Sequence, residues 1–227
     1  MQKILVTGDS GGFGHVLIKK LLDSGYKVVG ISSKTQPEIV DSNFEHIQCN
    51  LVESLPEIDY SEIDHVVYAH GLNVTGKFET IAWEDFEKSQ RINMKPQFEL
   101  TKELIKAWDF DKKADHCLIQ IGSVASHTVS PDEIPYHTAK LAVLGMWKSL
   151  DREYSKYRVR FCAVSPGLMD TPMGKQTVHD RPDVLDRIPL GILTSTEEVS
   201  NMVITILRSP AFIGNISINA GRHTSMF

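Results

Sequence analysis

The stretch KILVTGDSGGFG, residues 3–14, joins a run of aliphatic residues to a cluster of glycines. KILVT (3–7) predicts a strand buried on both faces, because Ile4, Leu5 and Val6 follow one another without polar alternation. Beyond the glycines, Gly12 to Ser24 predicts an amphipathic helix with Val16, Leu17, Leu21 and Leu22 inward. A strand that turns through glycines into a helix offers backbone N–H groups at the helix N-terminus, a setting suited to phosphate. Gly8, Gly12 and Gly14 are spaced G-x-x-x-G-x-G rather than G-x-G-x-x-G. The turn alone therefore reads as a phosphate loop or as a tight turn without a ligand. Asp9 puts a carboxylate inside it.

The same alternation runs along the chain. Strand-like runs recur at 27–32 (KVVGIS), 46–49 (HIQC), 65–69 (HVVYA), 117–123 (CLIQIGS) and 159–165 (VRFCAVS), with a last one near 216–219. Helix-like segments lie near 82–108, 136–156 and 196–208, and Thr196, Glu197 and Glu198 give the last an acidic start. Apolar strands separated by helices predict an α/β fold. Its core is one doubly wound parallel sheet with helices on both faces, in a single domain over 1–227. Ligands of such sheets sit beyond the carboxyl ends of the strands. The polar stretch 170–195 is the least regular, and a long loop inside a compact domain points to function, here as a substrate lid.

Composition narrows the partners. The 227 residues are 41% hydrophobic and 23% charged with a net charge of −5, which argues against nucleic acid or an anionic membrane as partner. Cys49, Cys117 and Cys162 lack ligand spacing and read as reduced thiols in a cytoplasmic protein, with no metal site. The start, MQKILVTG, is too short an apolar stretch for a signal peptide. No run approaches the roughly 20 apolar residues that span a bilayer.

The chemistry gathers later in the chain. In PYHTAKLAVLG (135–145), Tyr136 and Lys140 stand four apart and share one helix face. A free phenol titrates at about 10, too high to trade protons at neutral pH, and a nearby ammonium lowers that value. The spacing alone also arises on solvated helices. Ser123 closes the run CLIQIGS, at the carboxyl end of a core strand. There a hydroxyl either donates to a carbonyl oxygen as charge develops or caps a turn.

Taken together, these elements resemble the short-chain dehydrogenase/reductase family in its compact form, most of all its 3-oxoacyl-carrier-protein-reductase-like members. The matching residues are Thr7-Gly8-x-x-x-Gly12-x-Gly14, Ser123 thirteen positions before Tyr136, Tyr136-x-x-x-Lys140, Pro166-Gly167 followed by Thr171, and Asn93 in RINMKP. The resemblance reaches NISINAG (215–221) near the end. It implies a Rossmann-type oxidoreductase that interconverts a ketone or aldehyde and an alcohol by hydride transfer with NAD(P)(H). Tyr136 would be the general acid/base, and Ser123 would hold the carbonyl oxygen. Lys140 would lower the Tyr136 pKa and bind the nicotinamide ribose, while Asn93 would hold a water linking Lys140 to solvent.

The resemblance also implies a cofactor site. Gly8, Ser10, Gly12, Phe13 and Gly14 would form its phosphate loop, and Ser32, Ser33 and Lys34 would surround the adenosine ribose. Asn50, Leu51, Ala69 and Gly71 would line its middle, with Tyr136, Lys140, Pro166, Gly167, Met169 and Thr171 at the nicotinamide end. NAD-dependent members usually carry Asp at the position of Ser32. The hydroxyls and cation of Ser32, Ser33 and Lys34 therefore favour NADP(H) over NAD(H). Asp9 is the counter-argument if its carboxylate turns toward a 2′-phosphate.

Two departures stand out. Tyr68-Ala69-His70-Gly71 replaces the usual Asn-Asn-Ala-Gly, so a structural asparagine is lost. His70 either faces the crevice or is a hydrogen-bonded structural residue. Asn50 stands where an Asp usually contacts adenine, and its carbonyl oxygen can still accept a hydrogen bond. The substrate is expected to be a small carbonyl compound or alcohol, in a pocket built by 124–135 and 170–195. Lys175, His179, Arg181 and Arg187 suit an anionic substrate or an acyl-carrier protein, but Asp180, Asp183 and Asp186 interleave with them and suit a mixed, solvated lid. A homodimer or homotetramer would pair helices like 82–108 and 136–156, with AVLGMW (142–147) at that contact or in the core. Two other readings are a non-catalytic NAD(P)-binding sensor or scaffold and a sugar-nucleotide epimerase or dehydratase. The four catalytic positions argue against the first; the glycine spacing and chain length argue against the second.

Overall fold

A computed structural model describes residues 1–34, 37–112, 114–128 and 130–221. Seven strands form one sheet: β1 (Lys3–Thr7), β2 (Lys27–Ser32), β3 (Phe44–Gln48), β4 (His65–Tyr68), β5 (His116–Ile121), β6 (Val159–Pro166) and β7 (Asn215–Ile218). Their order is β3-β2-β1-β4-β5-β6-β7, and every neighbouring pair is parallel. Side chains alternate between the two faces, and both faces are covered. Ile4, Val6, Ile119 and Val164 pack with Leu17 and Ile18 of α1 (Gly12–Asp23) and Val203 and Leu207 of α6 (Thr196–Arg208). Leu5, Val66, Leu118 and Phe161 pack on the opposite side with Leu100 and Leu104 of α3 (Lys95–Ala107) and Leu144 and Trp147 of α4 (Ile134–Tyr154). From β1 the chain winds outward one way to β3, then returns to β4 and winds the other way. That reversal opens a crevice between the loops after β1 and β4.

Three local expectations change. The helix expected over 82–108 is two helices, α2 (Trp83–Asn93) and α3, broken at Met94. Pro96 has no N–H to continue the ladder to Ile92, so a new helix starts there. In α1, Leu17 and Leu21 are buried as expected, but Val16 and Leu22 are only partly so, and Phe13 and Ile18 complete the buried face. The stretch 170–195 is not a plain loop. It holds α5 (Pro172–Asp180) and a 3-10 segment, Pro182–Arg187. Its base is closed by a bridge between Met169 and Thr194, where the Thr194 N–H donates to the Leu168 carbonyl at 2.8 Å. The sequence hides α5 because Gly174 is its one buried residue, which leaves no apolar stripe to read. Among the described residues no helix is long and apolar enough to cross a membrane, and no cluster of potential metal ligands occurs.

Candidate active site

A cleft of about 990 Å³ opens at the carboxyl ends of the strands, between the loops after β1 to β5, α4 and the start of α5. Its floor is the turn from β1 into α1. Gly8 has φ 77, and a Cβ there would lie 2.9 Å from the His70 Cα; one on Gly14 would lie 2.2 Å from the Gly8 carbonyl oxygen. Only glycine lets the helix seat this closely on the strand end. No side chain caps α1, and its first turn carries no acidic residue. Helix N–H donors and dipole thus face the cleft uncompensated, which suits the diphosphate of a dinucleotide. Asp9 does not spoil this. It is fully buried and turned away, with its Oδ2 2.5 Å from the His46 Nδ1 on β3.

Beyond β2 and β3, Ser32, Ser33, Lys34, Asn50 and Leu51 line the cleft. Ser33 and Lys34 are exposed, whereas the Ser32 hydroxyl donates to the Lys34 carbonyl at 3.3 Å. The Asn50 side-chain oxygen accepts the Val52 N–H at 3.2 Å, so the acceptor expected for adenine already has a local donor.

Tyr136 and Lys140 line the cleft from one face of α4. The Lys140 Nζ sits 5.5 Å from the Tyr136 ring centre and donates to the Ile121 carbonyl at 3.3 Å. Burial pushes the Lys140 pKa down to about 8. Tyr136 differs from expectation: burial pushes its pKa up to about 12, against the lowering effect of a hydrogen bond with Ser123. Desolvation of the phenolate outweighs any help from Lys140. Ser123 lies two residues beyond β5 and has the capping role expected of it, with a hydrogen bond to Tyr136 besides. Its Oγ accepts the Ala125 N–H at 3.0 Å as a cap.

Asn93, fully buried at the end of α2, is committed to the backbone. Its Nδ2 donates to the carbonyls of Leu72 (3.0 Å) and Ser89 (2.8 Å), and its Oδ1 accepts the Leu72 N–H at 3.2 Å. It thereby pins the segment after β4. A Cβ on Gly71 would lie 3.1 Å from the Asn93 Oδ1 and 3.5 Å from the Lys140 Nζ, so this glycine preserves the gap between them. Tyr68, first residue of the altered motif, is fully buried. Its hydroxyl pairs with the Thr101 hydroxyl at 2.7 Å, and its ring meets Trp147 edge-on at 5.4 Å. His70 has both roles weighed for it: its Nδ1 lies 2.6 Å from the Thr7 hydroxyl, and it lines the cleft. Burial, reinforced by the Lys140 ammonium, holds its pKa down to about 3.

Met169, Thr171, Ala69 and Gly71 also line the cleft. The Thr171 hydroxyl accepts the Gly174 N–H at 3.1 Å and so caps α5. Of the expected residues, Asn93, Pro166 and Gly167 do not line this cleft, and Ser123 borders it through its hydrogen bond with Tyr136. Pro166 is buried in β6, and the Gly167 N–H donates to the Ile218 carbonyl at 2.7 Å. The cleft also takes in residues not expected: Ile31, Ile121 and Gly122 at strand ends, and Glu84, Glu87, Lys88 and Arg91 of α2. The first three follow from the rule that strand carboxyl ends face the crevice. The last four repeat at i, i+3, i+4 and i+7, a single helix face legible in the sequence.

The family model for short chain dehydrogenases matches residues 2–182. The chain belongs to this family. Like its relatives, this short-chain dehydrogenase is an oxidoreductase with an NAD(P)-binding fold that acts on small molecules. It is 27% identical over 216 residues to the 3-oxoacyl-(acyl-carrier-protein) reductase FabG of Escherichia coli (strain K12), covering 88% of this chain and 86% of that one. It is 26% identical over 236 residues to carbonyl reductase family member 4 of Xenopus laevis, covering 97% and 98%. The structure of 4-hydroxyisoleucine dehydrogenase complexed with NADH shares the fold, with a TM-score of 0.87 at 22% identity over 97% of this chain and 98% of that one.

Proposed function

We propose that this dehydrogenase interconverts a ketone or aldehyde and an alcohol, with Tyr136 as general acid/base and NADP(H) favoured over NAD(H). The observation that carries it is convergence: Tyr136, its hydrogen-bond partner Ser123 and the buried Lys140 meet at one end of a cleft floored by the glycine turn. A nicotinamide dinucleotide, when bound, supplies or takes up the hydride. With its pKa pushed up to about 12, the Tyr136 phenol is protonated at neutral pH and donates a hydrogen bond to a carbonyl oxygen, and full proton transfer needs the Lys140 ammonium to lower that value. Ser123 donates to the same oxygen as it gains charge. Lys140, at about 8, exchanges protons near neutral pH and offers its ammonium to the ribose hydroxyls. Asn93 holds the backbone that borders Lys140.

Exposed Ser33 and Lys34, with Asp9 turned away, support NADP(H). Residues 170–195 are the substrate lid of a single catalytic domain. Lys175 pairs with Asp170 at 3.0 Å, and Arg187 pairs with Asp183 at 2.5 Å. Cations already neutralised in this way favour the mixed, solvated lid over an anion-binding surface. The relatives' names, an acyl-carrier-protein reductase and a carbonyl reductase, agree with carbonyl chemistry. The free thiols of Cys49, Cys117 and Cys162 accord with a reducing, cytoplasmic compartment. An apolar recess on α2, α3 and α4 around Met94, Phe98, Ala142 and Met146 supports a homodimer or homotetramer.

The test is Tyr136→Phe, assayed for NADPH oxidation over a panel of ketones, acyl thioesters and keto-sugars. General acid/base catalysis is worth about 10²–10⁴-fold, so turnover is expected to fall by that factor while NADPH binding stays within about twofold. Turnover at the wild-type rate would remove Tyr136 from the reaction.

A further inference from the structure

Asp9 and His46 form a buried pair that neither belongs to the cleft wall nor serves the sheet ladder. Asp9 is fully buried, and its Oδ1 has no hydrogen-bond partner. The space for its carboxylate is cleared by Gly30 on β2, where a Cβ would lie 2.3 Å from the Asp9 Oδ2. The His46 ring is 5% exposed and bridges two acceptors: its Nδ1 lies 2.5 Å from the Asp9 Oδ2, and its Nε2 lies 3.2 Å from the Lys34 carbonyl. The Asp9 carboxylate is thereby turned from the cleft and paired with the His46 ring, so it does not face a phosphate bound at the helix N-terminus.

The pair also reaches the turn after β2. The Lys34 carbonyl accepts from His46 and from the Ser32 hydroxyl, and the neighbouring Ser33 carbonyl accepts from the Gln48 Nε2 at 3.4 Å. His46 and Gln48 are alternate residues of β3 and so project from the same face. Together they hold two consecutive carbonyls, which leaves Ser33 and Lys34 in the cleft wall.

From this geometry we infer that Asp9 and His46 are positioning residues for cofactor discrimination: they hold the Ser33–Lys34 turn around the 2′ position of the adenosine ribose and mask the Asp9 charge from a 2′-phosphate. This rests on the NADP(H) reading above, in that Ser33 and Lys34 are taken to face that position. His46→Leu breaks the anchor and leaves Asp9 as a bare carboxylate. Asp9→Ala/His46→Leu breaks the anchor without leaving a charge.

The experiment is calorimetric titration of the full chain with NADP⁺ and with NAD⁺, for wild type, both variants and Lys34→Ala. Wild type is expected to bind NADP⁺ more tightly. His46→Leu is expected to shift the ratio of the two dissociation constants at least tenfold against NADP⁺. The double variant should recover part of that loss, and Lys34→Ala should shift the ratio the same way. A general folding defect weakens both ligands alike, so only a change in the ratio supports the positioning role. If wild type prefers NAD⁺, the NADP(H) reading fails, and the pair is still judged by the change in ratio on mutation. A ratio unchanged in His46→Leu, or in the double variant should the single one not fold, overturns the proposal.

Discussion

Lys140 is buried to 3% exposure, and its pKa falls from 10.5 to about 8. The folded chain therefore holds this proton less tightly than the unfolded chain does. Below pH 8 the difference costs the fold roughly 3 kcal/mol, and it fades as pH rises from 8 toward 10.5. Lys140→Met is accordingly expected to raise the melting temperature at pH 7, with the gain shrinking in alkaline buffer, while carbonyl reduction is lost. A lower melting temperature at pH 7 would count against the burial argument. Such a conflict between stability and activity is common where a charge is kept dry for chemistry. Tyr136, Lys140 and Ser123 were legible at this scale because a strand end and a shared helix face combined with the family resemblance, the spacing alone leaving their roles open. The direction of Asp9 was not, since it depends on His46, thirty-seven residues away, and on the missing Cβ of Gly30.

Among the elements, the segment between Met169 and Thr194 is held by tertiary contacts. Its bridge closes the base, and Arg181, at the end of α5, pairs with Glu133 at the N-terminus of α4. That pair crosses from this segment to the helix carrying Tyr136, whereas Lys175–Asp170 and Arg187–Asp183 stay within the segment. Partly exposed pairs of this kind contribute about 0–1 kcal/mol, so Arg181→Ala should barely change the melting temperature. Its expected effect is kinetic: KM for the carbonyl substrate rises severalfold while kcat changes less. An unchanged KM would detach this contact from substrate binding. The sequence marked 170–195 as irregular but did not show α5, whose apolar face is too small to leave a period. It also merged α2 with α3, because the hydrophobic pattern runs across Met94 while Pro96 ends the hydrogen-bond ladder.

For the whole molecule, the sheet explains both the placement of the site and the surface left over. Strands buried on both faces need helices on each side, and the reversal of order between β1 and β4 leaves the crevice in which the glycine turn, His70 and Gly71 meet. On the outside of α3, Phe98 is 56% exposed beside an apolar recess of about 370 Å³ shared with α2 and α4. A contiguous apolar surface of this kind is expected at a subunit contact. Phe98→Glu should lower the mass measured by sedimentation toward that of the monomer while circular dichroism stays unchanged. A wild-type chain that sediments as a monomer at micromolar concentration would sink this assignment.

The sequence by itself determined the alternation of strands and helices, α5 and the break between α2 and α3 apart, and the parallel sheet, all of which rest on local periodicity. The site roles of Ser123, Tyr136, Lys140 and the glycine turn came from the family resemblance, since their spacing alone left other readings open. Only the tertiary structure decided that Asp9 turns inward to His46, that Tyr68 reaches Thr101, that Thr171 caps α5 and that burial raises Tyr136 while lowering Lys140. Those outcomes depend on which distant groups share a buried volume and on the cost of charging a group there, and neither is written in the spacing of residues along the chain.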